Sequence, residues 1–320
     1  MTEHSQHTNG KAKQKITPNL WFDTQAEEAA AFYVSVFEQS KRGQIGQYDK
    51  AAAEASGQPE GSAMIVEFEL TGQKFLGLNG GPHFSFNPSI SFFVGCRTKD
   101  EVDELWEKLS DGGTPLMPLD AYPFSERYGW ISDKYGLSWQ LMFVGDQEIT
   151  QKITPALMFV GDQAGKAEEA MRFYTSLFDD AHIGGILRYE KGEAPDEESR
   201  VKHAEFTLAG QQFMAIDWAA NDFTFNEAIS FVVNCKDQKE VDYFWDNLSA
   251  DPNAEQCGWL KDQFGVSWQV VPTVVVEMLK DPDAARSGRV MKAVMQMKKI
   301  DIATAKAVYE QEPHAPTPIE

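Results

Sequence analysis

His203 and Glu205 stand two apart in Val201-Lys-His-Ala-Glu-Phe-Thr-Leu208. On a strand they share one face, and Ala204, Phe206 and Leu208 share the other. An imidazole beside a carboxylate is the raw material of a metal-ligand pair or a proton relay. A hydrogen-bonded or solvent-facing pair is the plainer alternative. Glu67 holds the position of Glu205 in an internal repeat, so Glu67 and Glu205 are the candidate acid/base groups, while Ile65 stands where copy two has His203. A carboxylate flanked by apolar strands is expected to titrate above its ordinary range.

Other polar and aromatic residues sit where strands end. Asn79-Gly80 and Asp217-Trp218 are equivalent, and His83 follows in Gly80-Gly-Pro-His-Phe84. Loop residues of this kind often meet ligands, although Gly-Gly-Pro is first of all a turn. Gln140 and Gln269 each follow a tryptophan, and alternation sends Trp139 and Gln140 to opposite faces, one suited to a core and one to a polar cleft. Trp130, Trp139, Trp259 and Trp268 could stack on an aromatic ligand or pack a core. The candidate ligand-binding set is therefore Asn79, His83, Trp130, Gln140, Asp217, Trp218, Trp259 and Gln269.

Several chemistries find no support. Neither Gly43-Gln-Ile-Gly46 nor Gly77-Leu-Asn-Gly-Gly81 leads into a helical pattern, as a nucleotide-binding turn requires. There is no Gly-x-Ser-x-Gly elbow and no credible Cys/His pairing. Cys96, Cys235 and Cys257 are too few for a disulfide scaffold, which fits a reducing cytoplasm. A net charge of -20 argues against nucleic acid and anionic membranes as partners. No apolar run reaches the ~20 residues of a membrane span.

The elements that must hold these residues recur. Ile16-Thr-Pro-Asn-Leu-Trp-Phe22 returns as Ile153-Thr-Pro-Ala-Leu-Met-Phe159, and Phe32-Tyr-Val-Ser-Val-Phe37 as Phe173-Tyr-Thr-Ser-Leu-Phe178. Ile90-Ser-Phe-Phe-Val94 matches Ile229-Ser-Phe-Val-Val233, and Tyr128-Gly-Trp130 to Trp139-Gln140 matches Cys257-Gly-Trp259 to Trp268-Gln269. Copy two lacks about ten residues of the segment 112–127. A period this long means duplicated domains. Within a copy, strand and helix patterns alternate as two βαβββ halves. Thr24 to Glu27 and Thr98 to Glu101 have capping-box spacing, residues 50–61 read as a loop, and Gly136 and Gly265 are expected at positive φ in closing hairpins. After Pro272 three short helices are expected, the third capped by Asp301, with a methionine stripe packed against a domain.

These motifs together resemble a family. Ile-Thr-Pro-x-Leu-x-Phe, the Ala-Glu-Glu-Ala of residues 26–29 and 167–170, the Phe-Tyr-x-Ser-x-Phe helix, Asn79-Gly-Gly-Pro-His-Phe84 and Asp-x-Tyr/Phe-Gly-x-Ser-Trp-Gln are similar to the PhnB-like members of the vicinal oxygen chelate superfamily. These are relatives of glyoxalases, bleomycin-resistance proteins and dihydroxybiphenyl dioxygenases, often labelled 3-demethylubiquinone-9 3-methyltransferase-like. The resemblance spans about Ile16 to Tyr309. It implies an α+β fold of tandem glyoxalase-like domains, each two βαβββ modules curling around an open cleft, plus C-terminal helices. The expected division is a disordered tail over 1–14, a first domain over 15–147, a second over 152–272 and a helical extension over 273–320, of which 312–320 should fray.

The resemblance also implies a place for a divalent metal that binds two vicinal substrate oxygens. Here the final-strand carboxylate position is taken by Gln140 and Gln269, and the opening strands offer no His or Glu. The leading expectation is a cytoplasmic protein with one cleft per domain, binding a small oxygenated or aromatic molecule without a cofactor. One alternative is a metal-dependent lyase, isomerase or dioxygenase using His203, Glu205 and Gln269; another is methyl transfer, matching the family label. Two copies in one chain could form an internal pseudo-dimer, leaving a monomer or a homodimer.

Overall fold

Apolar alternation and helical stripes produce four successive modules in the computed structural model, which describes residues 14–193, 200–219 and 222–311. The first is β1 (Ile16–Phe22), α1 (Ala26–Val36), β2 (Lys41–Gln47), α2 (Lys50–Ser56), β3 (Ala63–Leu70) and β4 (Gln73–Asn79). The second is β5 (Ile90–Cys96), α3 (Lys99–Ser110), β6 (Thr114–Tyr122), β7 (Ser125–Ser132) and β8 (Ser138–Phe143). Copy two supplies β9 (Ile153–Phe159), α4 (Ala167–Leu177), β10 (His182–Arg188), β11 (Val201–Leu208) and β12 (Gln211–Asp217), then β13 (Ile229–Cys235), α5 (Gln238–Leu248), β14 (Trp259–Lys261) and β15 (Ser267–Pro272). The segment missing from copy two is the counterpart of β6. Three helices end the described chain: α6 (Thr273–Leu279), α7 (Ala284–Val294) and α8 (Ile302–Tyr309).

The modules do not close into sheets copy by copy. Sheet A runs β14-β15-β13-β1-β4-β3-β2, and sheet B runs β10-β11-β12-β9-β5-β8-β7-β6. Each sheet thus joins the first module of one copy to the second module of the other. The seams are antiparallel, with Asn19 opposite Ser230 in sheet A and Ala156 opposite Ser91 in sheet B. Matched ion pairs brace them: Lys15 with Glu240, and Lys152 with Glu101. Each concave face is therefore built from both copies.

One hydrophobic cluster spans both copies, and a buried aspartate clamp recurs within each copy. Tyr33 on α1 donates to Asp133 Oδ2 at 2.8 Å, and that oxygen also takes Trp139 Nε1 at 2.9 Å. The other oxygen caps the β7–β8 turn through the amides of Tyr135 and Leu137. Copy two repeats the clamp with Tyr174, Trp268 and the amides of Phe264 and Val266 on Asp262. Each aspartate ties a helix packed on one sheet to a hairpin of the other. Gly136 and Gly265 follow at φ 87° and 88°, as the turn requires.

Three local expectations change. Residues 50–56 form α2 rather than a loop, because Asp49 accepts from Ala52 N and Gly57 ends the helix in the left-handed region. The Thr24 box does not form; α1 begins without a side-chain cap from Gln25, its Ala26 amide being taken by Asn79 Oδ1 at 2.8 Å. Thr98 does cap α3, but Glu101 reaches back to Arg97 N. Asp301 caps α8 as expected, through Thr304 N. The expected tail and fraying end fall largely outside the described residues.

Candidate functional site

Alternation places Thr17, Asn19 and Trp21 on the concave face of sheet A, with Glu67, Ser230, Val232, Asn234, Ser267 and Gln269, while Leu20, Phe68, Phe231 and Trp268 face the core. Over this face lies a cavity of ≈ 1910 Å³ whose lining runs from β2, β3, β13 and β15 to Val276 of α6 and Met291 of α7. The helical extension is therefore its roof. Lys280, just past α6, reaches the floor and pairs with Glu67 at 2.6 Å. Part of the methionine stripe packs with Val275, Val290 and Ile300, and Met291 and Met295 line the cavity.

Polar side chains on this face bond to one another. Ser230 Oγ accepts from Gln269 Nε2 at 3.0 Å and from Asn19 Nδ2 at 3.4 Å. Curvature brings Trp259 of β14 within 6.0 Å of Trp21 on β1, three strands away, and Trp21 also meets Phe84 at 5.0 Å and His83 at 6.4 Å. Sheet B offers the corresponding face with Ser91, Gln140, Tyr128 and Trp130. There Gln140 is held at both ends, its Oε1 taking Tyr128 O–H at 2.9 Å and its Nε2 donating to Ser91 Oγ at 2.6 Å. Trp130 Nε1 donates to Ser138 Oγ at 2.7 Å.

The chain matches the family described as 3-demethylubiquinone-9 3-methyltransferase over residues 14–142 and again over 151–271. The chain belongs to this family, in two tandem copies. Among solved structures, it is 42% identical to a PhnB protein, described as a putative 3-demethylubiquinone-9 3-methyltransferase, from Bacillus cereus; the match covers 41% of this chain and 100% of that one, with a TM-score of 0.38. Glyoxalase I from Zea mays matches over 84% of this chain and 98% of its own at 9% identity and a TM-score of 0.50, a likeness of fold alone. No curated protein matches. The two family matches and the likeness to glyoxalase I give the chain α+β, glyoxalase-like tandem domains.

In this PhnB-like chain the sequence candidates separate into two groups. Glu67, His83, Trp259 and Gln269 gather around sheet A; His203, Glu205, Trp130 and Gln140 belong to sheet B. The set His203, Glu205 and Gln269 is corrected by this division, since β11 and β15 lie in different sheets. His203 and Glu205 do face each other at 3.8 Å, on exposed side chains. Glu205 is held below the ordinary carboxylate range, first by the hydrogen bond from His203, which reverses the expected rise. Among the described residues no three of His, Cys, Asp and Glu converge as a metal would need.

Asn79 and Asp217 are also reassigned. Both are buried, and both hold helix starts: Asn79 through Ala26 N and Ala63 O, Asp217 through the amides of Gly165, Ala167 and Val201. Trp218 is 36% exposed at the rim, and Trp139 and Trp268 are core residues. Cys96 and Cys235 are buried, and burial pushes their thiols up to about 12. Sequence reasoning passed over Asn19, Ser230, Asn234 and Lys280. The first three are polar residues in strands that otherwise read as apolar, a signal that was available; Lys280 lies beyond the repeat and had none.

Proposed function

We propose that the protein is a small-molecule-binding module that encloses an oxygenated or aromatic compound against a concave sheet, without a resident metal. The observation carrying this reading is the cavity of sheet A, roofed by α6 and α7, where apolar residues such as Val232, Val271, Val276 and Met291 meet the amides of Asn234 and Gln269, with charged residues including Arg42, Glu67 and Lys280 along the rest of the lining. The concave face beside β13 and β15 offers the amides of Asn234 and Gln269 and the Ser230 hydroxyl, whereas a divalent ion favours carboxylates or imidazoles. The Glu67 carboxylate on this face already pairs with Lys280. Donor chemistry thus supports plain binding over chelation. The interleaved seams support an internal pseudo-dimer, and the unpaired cysteines fit a cytoplasmic setting.

The test is native mass spectrometry with elemental analysis of the purified full chain. The expected result is an organic mass retained by the folded protein and metal far below one ion per chain. Stoichiometric metal that disappears in His203→Ala would overturn the reading in favour of a metal enzyme. The family's description makes methyl transfer the second reading, and calorimetric titration with S-adenosylmethionine decides it: saturable heat supports it, and none removes it.

A further inference from the structure

The two concave faces are related by the repeat, and Gln140 Nε2 and Gln269 Nε2 donate alike to Ser91 and Ser230, yet the bonding around them differs. In sheet B the amide of Gln140 is closed at both ends by Tyr128 and Ser91. In sheet A Gln269 Nε2 donates to Ser230, and no donor among the described residues reaches Gln269 Oε1, which lines the cavity. The reason is a substitution between copies: the position of Tyr128 is held by Cys257, whose backbone amide is bound to Met297 O at 2.8 Å. A second lining amide behaves alike. Asn234 stands where copy one has Gly95, and its Nδ2 donates to Thr17 Oγ1 and to the carbonyls of Gln14 and Lys15. Three oxygen acceptors fix the nitrogen there, so Oδ1 is the free end.

The serine beneath them points the same way. Ser138 in sheet B accepts from Trp130, but its counterpart Ser267 is 1% exposed and its Oγ has no partner. It shares the concave face with Gln269, two residues on. The indole that would have served it, Trp259, is turned against Trp21. Hollow A therefore presents amide oxygens that want donors, whereas hollow B has bonded its own groups to one another.

We infer that the cavity of sheet A, not that of sheet B, is the ligand site, and that it selects a neutral ring compound bearing a hydroxyl or N–H donor. This rests on the small-molecule-binding reading above. At these two groups a carboxylate would place its oxygens against Gln269 Oε1 and Asn234 Oδ1, and an ether would leave both amide oxygens without a donor. The apolar part of the ligand lies between Val232 and Val271 of the floor and Val276 and Met291 of the roof.

The probe is 2-naphthol, titrated into the full chain by calorimetry, with 2-naphthoate and 2-methoxynaphthalene as controls. The expected result is one 2-naphthol per chain, with both controls about tenfold weaker or worse. Gln269→Leu should weaken 2-naphthol by about tenfold, whereas Gln140→Leu should stay within about twofold. Thermal melts confirm that each variant is folded. Two equivalents per chain, equal binding of the three probes, or a loss that follows Gln140→Leu instead would overturn the assignment and leave small-molecule binding standing. No binding of any of the three would overturn both.

Discussion

Replacing Asp262 by asparagine should change how stability depends on pH. The carboxylate is 4% exposed and receives Phe264 N, Val266 N, Tyr174 O–H and Trp268 Nε1 at 2.7 to 3.0 Å. Burial raises its pKa and the four donors pull it back, leaving it at about 6 against an ordinary 3.8. Since the folded-state value is the higher, the native protein holds a proton that the unfolded chain has already released between those values. The group's contribution is thus full at low pH and is lost as pH rises through about 6. A displacement of about two pKa units, at ~1.4 kcal/mol each, amounts to about 3 kcal/mol. Asp262→Asn has nothing to titrate there, so the stability of the wild type minus that of the variant should fall by about 3 kcal/mol between about pH 4 and 7. Urea unfolding at a series of pH values measures this, followed by tryptophan emission because Trp268 is bonded to the carboxylate. A difference that stays flat would refute the role of burial. One that grows with pH would mean that the donors win and hold Asp262 below its ordinary range.

Two more outcomes follow from burial and backbone geometry. Cys96 and Cys235 are fully buried with thiols raised to about 12, so an aromatic disulfide reagent should titrate at most Cys257 in the native protein and all three thiols after denaturation; prompt reaction of two would contradict the closed ends of β5 and β13. Gly265→Ala should cost about 1–2 kcal/mol from its φ of 88° alone, its Cβ meeting nothing nearer than Phe225 at 3.9 Å. Gly258→Ala should cost more, because φ is 87° and a Cβ would also lie 3.0 Å from both Val270 O and Ile300 Cδ1. Equal melting temperatures for the two variants would rule out that steric difference.

The parts that could be read from the sequence are those fixed within a few residues. Alternation sends Trp139 to the core and Gln140 to the concave face because a strand has only two faces, and the closing hairpins need Gly136 and Gly265 at positive φ. Residues 50–56 read as a loop from sequence because Gly and Pro follow Ala51, Ala52 and Ala53, although Asp49 is a sound cap. Asn79 and Asp217 misled for a related reason. A polar residue at a strand end can face a ligand or a helix start, and only the position of α1 and α4 shows that both face amides.

Which modules share a sheet is harder to read, since an antiparallel seam is made of backbone bonds that any of the opening strands could offer. One hint was present: only about nine residues connect β8 to β9, too few to leave the sheet and return over a long path, and β9 indeed sits one strand away from β8, beyond β5. The interleaving explains why two changes in copy two act on one hollow. Loss of the β6 counterpart leaves β14 an edge strand, and an open edge invites pairing with another chain. The extension closes it, with Cys257 N and Gly258 N donating to Met297 O and Lys298 O. That contact anchors the segment between α7 and α8, and the helices before it lie over sheet A. The missing strand and the added helices are thus one structural change, which edges and roofs a single hollow while leaving the other in the form that copy one's hairpin dictates.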